Sequence, residues 1–407
     1  MKILLVHQNF PGQFKHLLPE LLKNPNNEVL GFTMNGFTAS QHNLRIVNYK
    51  AAKGTSQDVH PWVAEMETKV IRGEAAFRAA LALKNEGFSP DLILAHPGWG
   101  ESLFLKNVWP TAKMVIYCEF HYKAEGQDVG FDPEFLASDA GDACRVEMKN
   151  VNNLLHFECA DVGISPTEWQ KSTFPEPFRS KIQVVHDGID TEAIKPNPAA
   201  ELQIGTHRLT RNDEIITFVS RNMEPYRGYH TLMRALPKIL QARPKARVLM
   251  VGGDGVSYGQ KPPAGQTWKQ IFLDEVKDHL DLSRVHFLGH IDYKSFIPLL
   301  QVSRVHVYLT YPFVLSWSLL EAMSCGCAIV ASDTAPLKEA ITDQQTGLLV
   351  DFFSPDEIAN KTIELLEDSS LRDALGAQAR AFAVKNYDLR RVCLPRMMEI
   401  LTNTAKI

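Results

Sequence analysis

The sequence predicts an α/β protein made of two doubly wound, parallel-sheet domains of similar size. Three observations lead there. Short aliphatic, β-branched runs alternate with longer helical patterns along the whole chain, the order that winds a parallel sheet. Several runs are continuously apolar, as expected of strands covered by helices on both faces. A cluster of Gly188, Pro196, Asn197 and Pro198, followed by polar and poorly periodic sequence, breaks the alternation near the middle. Twelve strand candidates are too many for one ordinary sheet, so two sheets are expected.

In order, the first-half strands are Lys2–Val6, Glu28–Phe32, Leu92–Ala95, Met114–Cys118, Val162–Ile164 and Gln183–Val185. After the break come Ile215–Val219, Arg247–Val251, Val285–Leu288, His306–Leu309, Ala328–Ala331 and Gly347–Val350. The expected boundaries are an N-terminal domain at 1–190, a linker at 191–213, a C-terminal domain at 214–385 and a final helix at 386–407 that crosses back to the N-terminal domain. Pro395 is expected to kink or interrupt that last helix. The two domains are expected to face each other across a cleft.

Composition narrows the function. The 407 residues carry 43 Lys+Arg against 47 Asp+Glu, a formal net charge of −4, with 45% hydrophobic and 22% charged residues. That is the profile of a folded globular protein and excludes disorder, collagen and coiled coil. The near balance of charge argues against nucleic acid as the main partner. No stretch approaches the roughly 18 apolar residues of a membrane span, and the opening apolar run is broken at His7 and Gln8. The six cysteines are scattered, and Cys325-Gly-Cys327 has the wrong spacing for structural zinc, so no metal site is expected. The chain reads as cytoplasmic. Gln13–Lys23, with Lys15 and Lys23, is an amphipathic stretch that suits either core packing or peripheral contact with a membrane.

In open parallel sheets, ligands bind beyond the carboxyl ends of the strands. After the first strand comes His7-Gln8-Asn9-Phe10-Pro11-Gly12, where a glycine permits close approach to an anion at a helix start. Leu92–Ala95 runs into His96-Pro97-Gly98-Trp99-Gly100-Glu101, a polar wall with an aromatic platform. Met114–Cys118 runs into Glu119-Phe120-His121, whose side chains suit acid/base or hydroxyl-binding work. In the second half, Arg221 and Arg227 lie six positions apart in one strand-to-helix loop and can converge on one diphosphate through their planar forks. Near Ser316 a helix begins that aims partial positive charge at a ligand, and Glu321, about one turn on, can accept hydrogen bonds from a diol. Neither GxGxxG after a strand nor GxxxxGK[ST] occurs, which weakens an oxidoreductase or a P-loop enzyme.

These residues in this order resemble a glycosyltransferase of the GT-B fold, specifically family 4 of the retaining enzymes. The resemblance rests on Arg221 to Gly228, Val251 to Gly255, His286 to His290, and above all Glu321-Ala-Met-Ser-Cys-Gly-Cys-Ala-Ile-Val-Ala-Ser-Asp333. It implies a nucleotide-diphosphate sugar donor, UDP- or GDP-linked, held mainly by the C-terminal domain, with no cofactor and no metal. Arg221 matches the family's phosphate-binding arginine, and Arg227 stands where a lysine is usual. Leu315, Ser316 and Trp317 fall where backbone N–H groups meet the distal phosphate. Gly12 matches the N-terminal loop glycine over the diphosphate. Glu321 matches the ribose-binding glutamate, and His290 and Ile291 lie where the base packs. The first glutamate of the family's paired motif is absent: eight positions before Glu321 stands Phe313. At the family's N-domain histidine the chain has Glu119-Phe120-His121, of which His121 is the preferred catalytic candidate and Glu119 the other. His96, Trp99 and Glu101 are expected at the cleft wall or acceptor.

The resemblance further implies sugar transfer with retention to a hydroxyl of a glycan, lipid-linked sugar, small molecule or protein. Charge growing on the departing diphosphate is met by arginines and a helix N-terminus. The alternatives are a catalytically inactive glycosyltransferase-like subunit, another GT-B enzyme such as a nucleotide-sugar epimerase or a phosphorylase, and, more distantly, an oxidoreductase.

Overall fold

The computed structural model describes residues 1–39, 42–136 and 141–406. The chain forms two compact units. Unit 1 comprises Met1–Gly130, Leu136–Gly188 and Arg390–Ile407, and unit 2 comprises Phe131–Phe135 and Ile189–Leu389.

Unit 1 holds a seven-stranded sheet of β1 (Lys2–Val6), β2 (Glu28–Thr33), β3 (Leu44–Asn48), β4 (Leu92–Ala95), β5 (Lys113–Tyr117), β6 (Val162–Ser165) and β7 (Ile182–Val184). The order is β3-β2-β1-β4-β5-β6-β7 and every pairing is parallel. The winding reverses between β1 and β4, where Ile3 pairs with Leu92 and Val6 with Ala95. Helices cover both faces, so Ile3, Leu4, Leu5 and Val6 are all fully buried. This explains the unbroken apolar runs read from the sequence. The longest helix of this unit, Ala64–Asn85, packs against the helix Asp142–Cys159.

The stretch from Gln13 divides into a 3-10 turn, Gly12–Lys15, and a short helix, Leu17–Leu22. Leu17, Leu18, Leu21 and Leu22 are buried in the unit 1 core, so its apolar side is spent on packing. The last helix begins at Leu394, after one π turn at Leu389–Cys393. Pro395 is the second residue of this α-helix, and the regular helix is interrupted by the π turn directly before it, as the sequence predicts. Met397, Ile400 and Leu401 of this helix pack with Phe14, Leu17 and Leu21.

Unit 2 holds a six-stranded parallel sheet of β10 (Ile215–Asn222), β11 (Arg247–Gly253), β12 (Val285–Phe287), β13 (Val305–Tyr308), β14 (Ala328–Ser332) and β15 (Leu348–Val350). Its order is β12-β11-β10-β13-β14-β15, with the reversal between β10 and β13. The segment 191–213, expected as a linker, is instead built into this unit. It carries the antiparallel hairpin of β8 (Glu201–Ile204) and β9 (His207–Thr210), and Ile194, Ala200 and Leu209 join the unit 2 core. Its carbonyls are also pinned: Ser324 Oγ donates to Ile194 O at 2.5 Å, Gln301 Nε2 to Lys195 O at 2.8 Å and Arg380 Nη2 to Thr191 O at 3.2 Å. The Pro/Asn clustering marked irregular backbone, but buried side chains among the polar ones decide that it packs. Phe131–Phe135, from the middle of the first half, is likewise part of unit 2. No helix among the described residues is long and apolar enough to cross a membrane.

Candidate active site

Unit 2 places its polar side chains at the carboxyl ends of β10 and β13, the point where the sheet's winding reverses. β10 ends at Asn222, and a 3-10 turn at Pro225–Arg227 leads through Gly228 (φ +70°) into the helix Tyr229–Ala242. A Cβ on Gly228 would lie 2.3 Å from Leu309 Cβ, so only glycine brings this loop against β13's exit. The turn buries Arg227, which is 7% exposed. Its Nη1 donates to Thr310 Oγ1 at 2.7 Å, to Tyr308 Oη at 3.1 Å and to Val314 O at 3.3 Å. All three acceptors are uncharged. Burial opposes the charge, but the oxygens of Tyr308, Tyr258, Tyr226 and Glu224 outweigh it and raise the guanidinium's pKa further. Among the described residues Nε and Nη2 of Arg227 have no hydrogen-bond partner, leaving one edge of the fork for a ligand.

The hydroxyl of Tyr308 ties this arginine to a helix start. It also accepts from Ser316 N at 3.0 Å, and Ser316 caps the helix Trp317–Ser324 through its side chain. Leu315 and Trp317 pack into the unit 2 core beside the cap. A buried cation and a helix N-terminus therefore share one hydroxyl. Arg221 is exposed, and its guanidinium lies 5.7 Å from the centroid of the Tyr258 ring, while that of Arg227 lies 5.4 Å from the same ring. The two arginines converge on one aromatic ring. Phe313 is buried beside them, its ring 5.0 Å from Tyr258, 5.1 Å from Tyr226 and 5.8 Å from the Arg227 guanidinium. Glu321, 5% exposed, accepts from Tyr293 Oη at 2.5 Å. His290 lies over Gly253, where a Cβ would come within 2.4 Å of its Nε2, and Ile291 is half-buried against the core.

Three contributors escaped the sequence reading. Glu224, fully buried, accepts backbone N–H groups from Ser257, Tyr258 and Gly259 at 3.1 to 3.3 Å and so holds Tyr258 in place. An acidic residue inside an arginine loop was its only signal. Tyr258 gave none, because its loop has no periodicity. Tyr308 read simply as a strand end.

Unit 1 assembles a second cluster at its own reversal point. His7 follows β1 and His96 follows β4, with ring centroids 5.3 Å apart. Trp99 lies 4.6 Å from His96 and 4.9 Å from His7, and Tyr117 stacks on His96 at 5.3 Å. Burial, with His7 beside it, pushes His96 down to about 3, so it is neutral. Its Nδ1 accepts from Gly98 N at 3.2 Å, leaving Nε2 directed towards Glu119 Oε2 at 3.7 Å. Gly12 (φ +51°) supports the His7 ring: a Cβ there would lie 2.1 Å from His7 Cε1, and His7 Nε2 meets Gln13 Oε1 at 2.5 Å. Glu119 thus joins this cluster and His121 does not. The His121 ring packs 5.6 Å from Phe174, and burial lowers it to about 4. Glu101 is fully buried among Tyr49 and Arg72, with burial raising its carboxyl to about 7.

One set of potential metal ligands comes together among the described residues, Asp132, Glu134 and His230 in unit 2. Both Glu134 oxygens are taken by Arg234 at 2.7 and 2.8 Å, and Asp132 accepts from Tyr311 Oη at 2.9 Å and faces His230 Nε2 at 3.1 Å. The two carboxylates are satisfied within the protein, while His230 Nδ1 is buried with no hydrogen-bond partner among the described residues.

With the two sheets and their polar edges in place, comparison with known proteins is decisive. The family described as "Glycosyl transferase family 4 group" matches residues 25–194, and "Glycosyl transferases group 1" matches residues 203–382. The chain belongs to glycosyltransferase family 4 and has the GT-B fold. Among curated relatives it is 26% identical over 253 residues to an uncharacterized glycosyltransferase of Methanocaldococcus jannaschii, covering 60% of this chain and 58% of that one. It is 24% identical over 363 residues to the D-inositol 3-phosphate glycosyltransferase of Corynebacterium jeikeium, covering 84% and 78%. Sucrose-phosphate synthase from Thermosynechococcus elongatus superposes with a TM-score of 0.75 at 18% identity, over the full length of both chains. Anabaena HepE, solved with UDP and glucose, superposes with a TM-score of 0.66 at 18% identity, over 99% of this chain and 100% of that one.

Proposed function

We propose that this family 4 protein transfers a sugar, with retention of configuration, from a nucleotide-diphosphate sugar to an acceptor hydroxyl. The observation that carries the reading is Arg227: a buried guanidinium whose neutral partners occupy one nitrogen and whose other edge is open, joined through Tyr308 to a helix N-terminus. Such a pole suits a diphosphate, since bidentate contacts to phosphate oxygens use the free edge of the fork. Arg221 adds a second, exposed cation. Glu321 suits ribose hydroxyls, with Tyr293 occupying one of its oxygens until the nucleotide arrives, and His290 and Ile291 suit the base. UDP and GDP both fit this reading.

As the anomeric bond breaks, negative charge grows on the departing diphosphate. Arg227, Arg221 and the helix start at Ser316 stabilise it at no reorganisation cost, which makes a metal dispensable. No carboxylate stands at position 313, so we read the displacement as front-face, the leaving phosphate oxygen taking the acceptor's proton. In unit 1, Glu119 and neutral His96, backed by Trp99, suit the acceptor side, and the geometry favours Glu119 over His121.

The test is release of nucleoside diphosphate from a panel of nucleotide sugars, with and without candidate acceptors, followed by NMR of the product's anomeric proton. Release that depends on acceptor, with an α-linked product from an α-linked donor, is expected. A β-linked product excludes front-face attack, and sugar isomerisation without release points to an epimerase.

A further inference from the structure

Asp132 is 3% exposed, and a carboxylate taken out of water is costly unless its neighbours answer it. It comes from the first half of the chain, yet its segment, Phe131–Phe135, packs within unit 2. Its Oδ1 accepts from Glu134 N at 3.0 Å, which closes the segment into a tight turn. Its Oδ2 has two neighbours: Tyr311 Oη donates to it at 2.9 Å, and His230 Nε2 lies 3.1 Å away. Burial opposes the charge, but His230, the Glu134 N–H and Tyr311 outweigh it and hold the carboxyl below its ordinary value. Asp132 is therefore ionised at neutral pH.

These two partners flank Arg227. His230 stands in the first turn of the helix Tyr229–Ala242, which begins directly after the Arg227 turn. Tyr311 directly follows Thr310, whose Oγ1 accepts from Arg227. One oxygen of Asp132 thus joins the turn that carries Arg227 to the strand exit that supplies its acceptors. Tyr311 also holds that turn itself: its N donates to Tyr226 O at 3.1 Å, and the two rings lie 4.8 Å apart. The segment reaches the loop after β11 as well. Gln260 Nε2 donates to Phe135 O at 3.0 Å, just beyond Tyr258, the ring that both arginines approach. Glu134 anchors the segment, both of its oxygens taken by Arg234, one helical turn from His230 on the same helix. The exits of β10, β11 and β13 therefore meet on one short segment drawn from elsewhere in the chain. We propose that Asp132 is a positioning residue of the donor site: by clasping Tyr311 and His230 it fixes the Arg227 turn against the exit of β13, and so sets how the free edge of Arg227 meets a distal phosphate. This rests on the donor reading of Arg227 above and adds the residue that holds its geometry. Binding groups keep their aim only while the side chains behind them are locked by packing and hydrogen bonds. Loosening the clasp should therefore be felt at the distal phosphate, which Arg227 meets, and not at the base or ribose.

UDP and GDP are titrated calorimetrically beside UMP and GMP into the full chain and three variants. Asp132→Ala should cut the preference for diphosphate over monophosphate about tenfold, a coupling of ordinary size within one hydrogen-bonded network, and leave monophosphate affinity unchanged. Asp132→Asn keeps an oxygen for Tyr311 and His230 and should recover the preference to within about threefold of wild type. Tyr311→Phe loses a single hydroxyl and should fall between the two, which carries the test if Asp132→Ala does not fold. A loss shared equally by mono- and diphosphate, or a folded Asp132→Ala protein with the wild-type preference, overturns the assignment. Should the wild type prefer neither diphosphate, the donor reading of Arg227 fails separately. The clasp is then read in the free protein from the Arg227 Nε–H resonance, identified by its loss in Arg227→Met. A resonance shifted by Asp132→Ala and by Tyr311→Phe supports the clasp, and one left in its wild-type position overturns it.

Discussion

Arg227→Met removes the charge at the centre of the proposed donor pole while keeping most of the side chain's volume. In the free protein the two consequences nearly offset. Thr310 Oγ1 and Val314 O each lose a donor and Tyr308 one of two, since its hydroxyl still accepts from Ser316 N. That costs about 1–2 kcal/mol. Against it, a buried cation with no ion-paired carboxylate is no longer desolvated, a relief of similar or larger size. Stability should therefore change by no more than about 1 kcal/mol, or about 2–4 °C in unfolding temperature for a unit this large. Binding should suffer far more. Two charge-assisted contacts from the free edge of the fork are worth about 1.5 kcal/mol each at the low end, about 3 kcal/mol together, which is a loss of roughly 150-fold in affinity. Calorimetric titration of the preferred nucleoside diphosphate, beside thermal unfolding of both proteins, measures both quantities. A folded variant whose nucleotide affinity falls less than threefold refutes the assignment of Arg227.

Three more outcomes are expected. Glu101 holds its proton in the native chain between its ordinary 4.5 and about 7, while the unfolded chain has released it. A raised folded value makes ionisation destabilising, so stability falls as pH rises through that window, by on the order of 3 kcal/mol at about 1.4 kcal/mol per tenfold. Urea unfolding of Glu101→Gln should lack this slope, and parallel profiles would show the carboxyl is already satisfied. Gly12→Ala forces a Cβ into the His7 ring at φ +51° and should cost about 1–3 kcal/mol in denaturant unfolding; an unchanged midpoint would mean the loop yields freely. Glu224→Gln replaces one of two carboxylate oxygens with a donor facing three N–H groups. A loss of about 2 kcal/mol should speed amide exchange at Ser257, Tyr258 and Gly259 roughly 30-fold, and unchanged exchange would remove Glu224 as the loop's anchor.

The parallel sheets were legible because burial on both faces writes continuous apolar runs, and the approach of Arg221 and Arg227 to one ring was legible because both sit at the exit of one strand. What stayed hidden depends on packing. β3 carries Arg45 and Asn48 among its apolar residues and has an intermediate burial pattern, so it reads as loop. The hairpin at 201–210 shows only one buried side chain, Leu209, and the segment around it looked like a linker. His7 differs from any other polar residue after a strand only through contact with Gly12 and His96, residues distant from each other in sequence. The choice between Glu119 and His121 turned on which way each side chain faces, and strand alternation places the two on the same side. The structure separates them through Phe174, from another element.

The most direct test of the central claim compares nucleoside diphosphates with monophosphates. UDP, GDP, ADP and TDP are titrated beside UMP, GMP, AMP and TMP into the wild-type protein. One base should stand out, and its diphosphate should bind at least tenfold tighter than its monophosphate, because in the proposed function the distal phosphate is the group that meets Arg227 and the helix start at Ser316. Equal affinity for mono- and diphosphate, or no binding by any of the eight, contradicts the account.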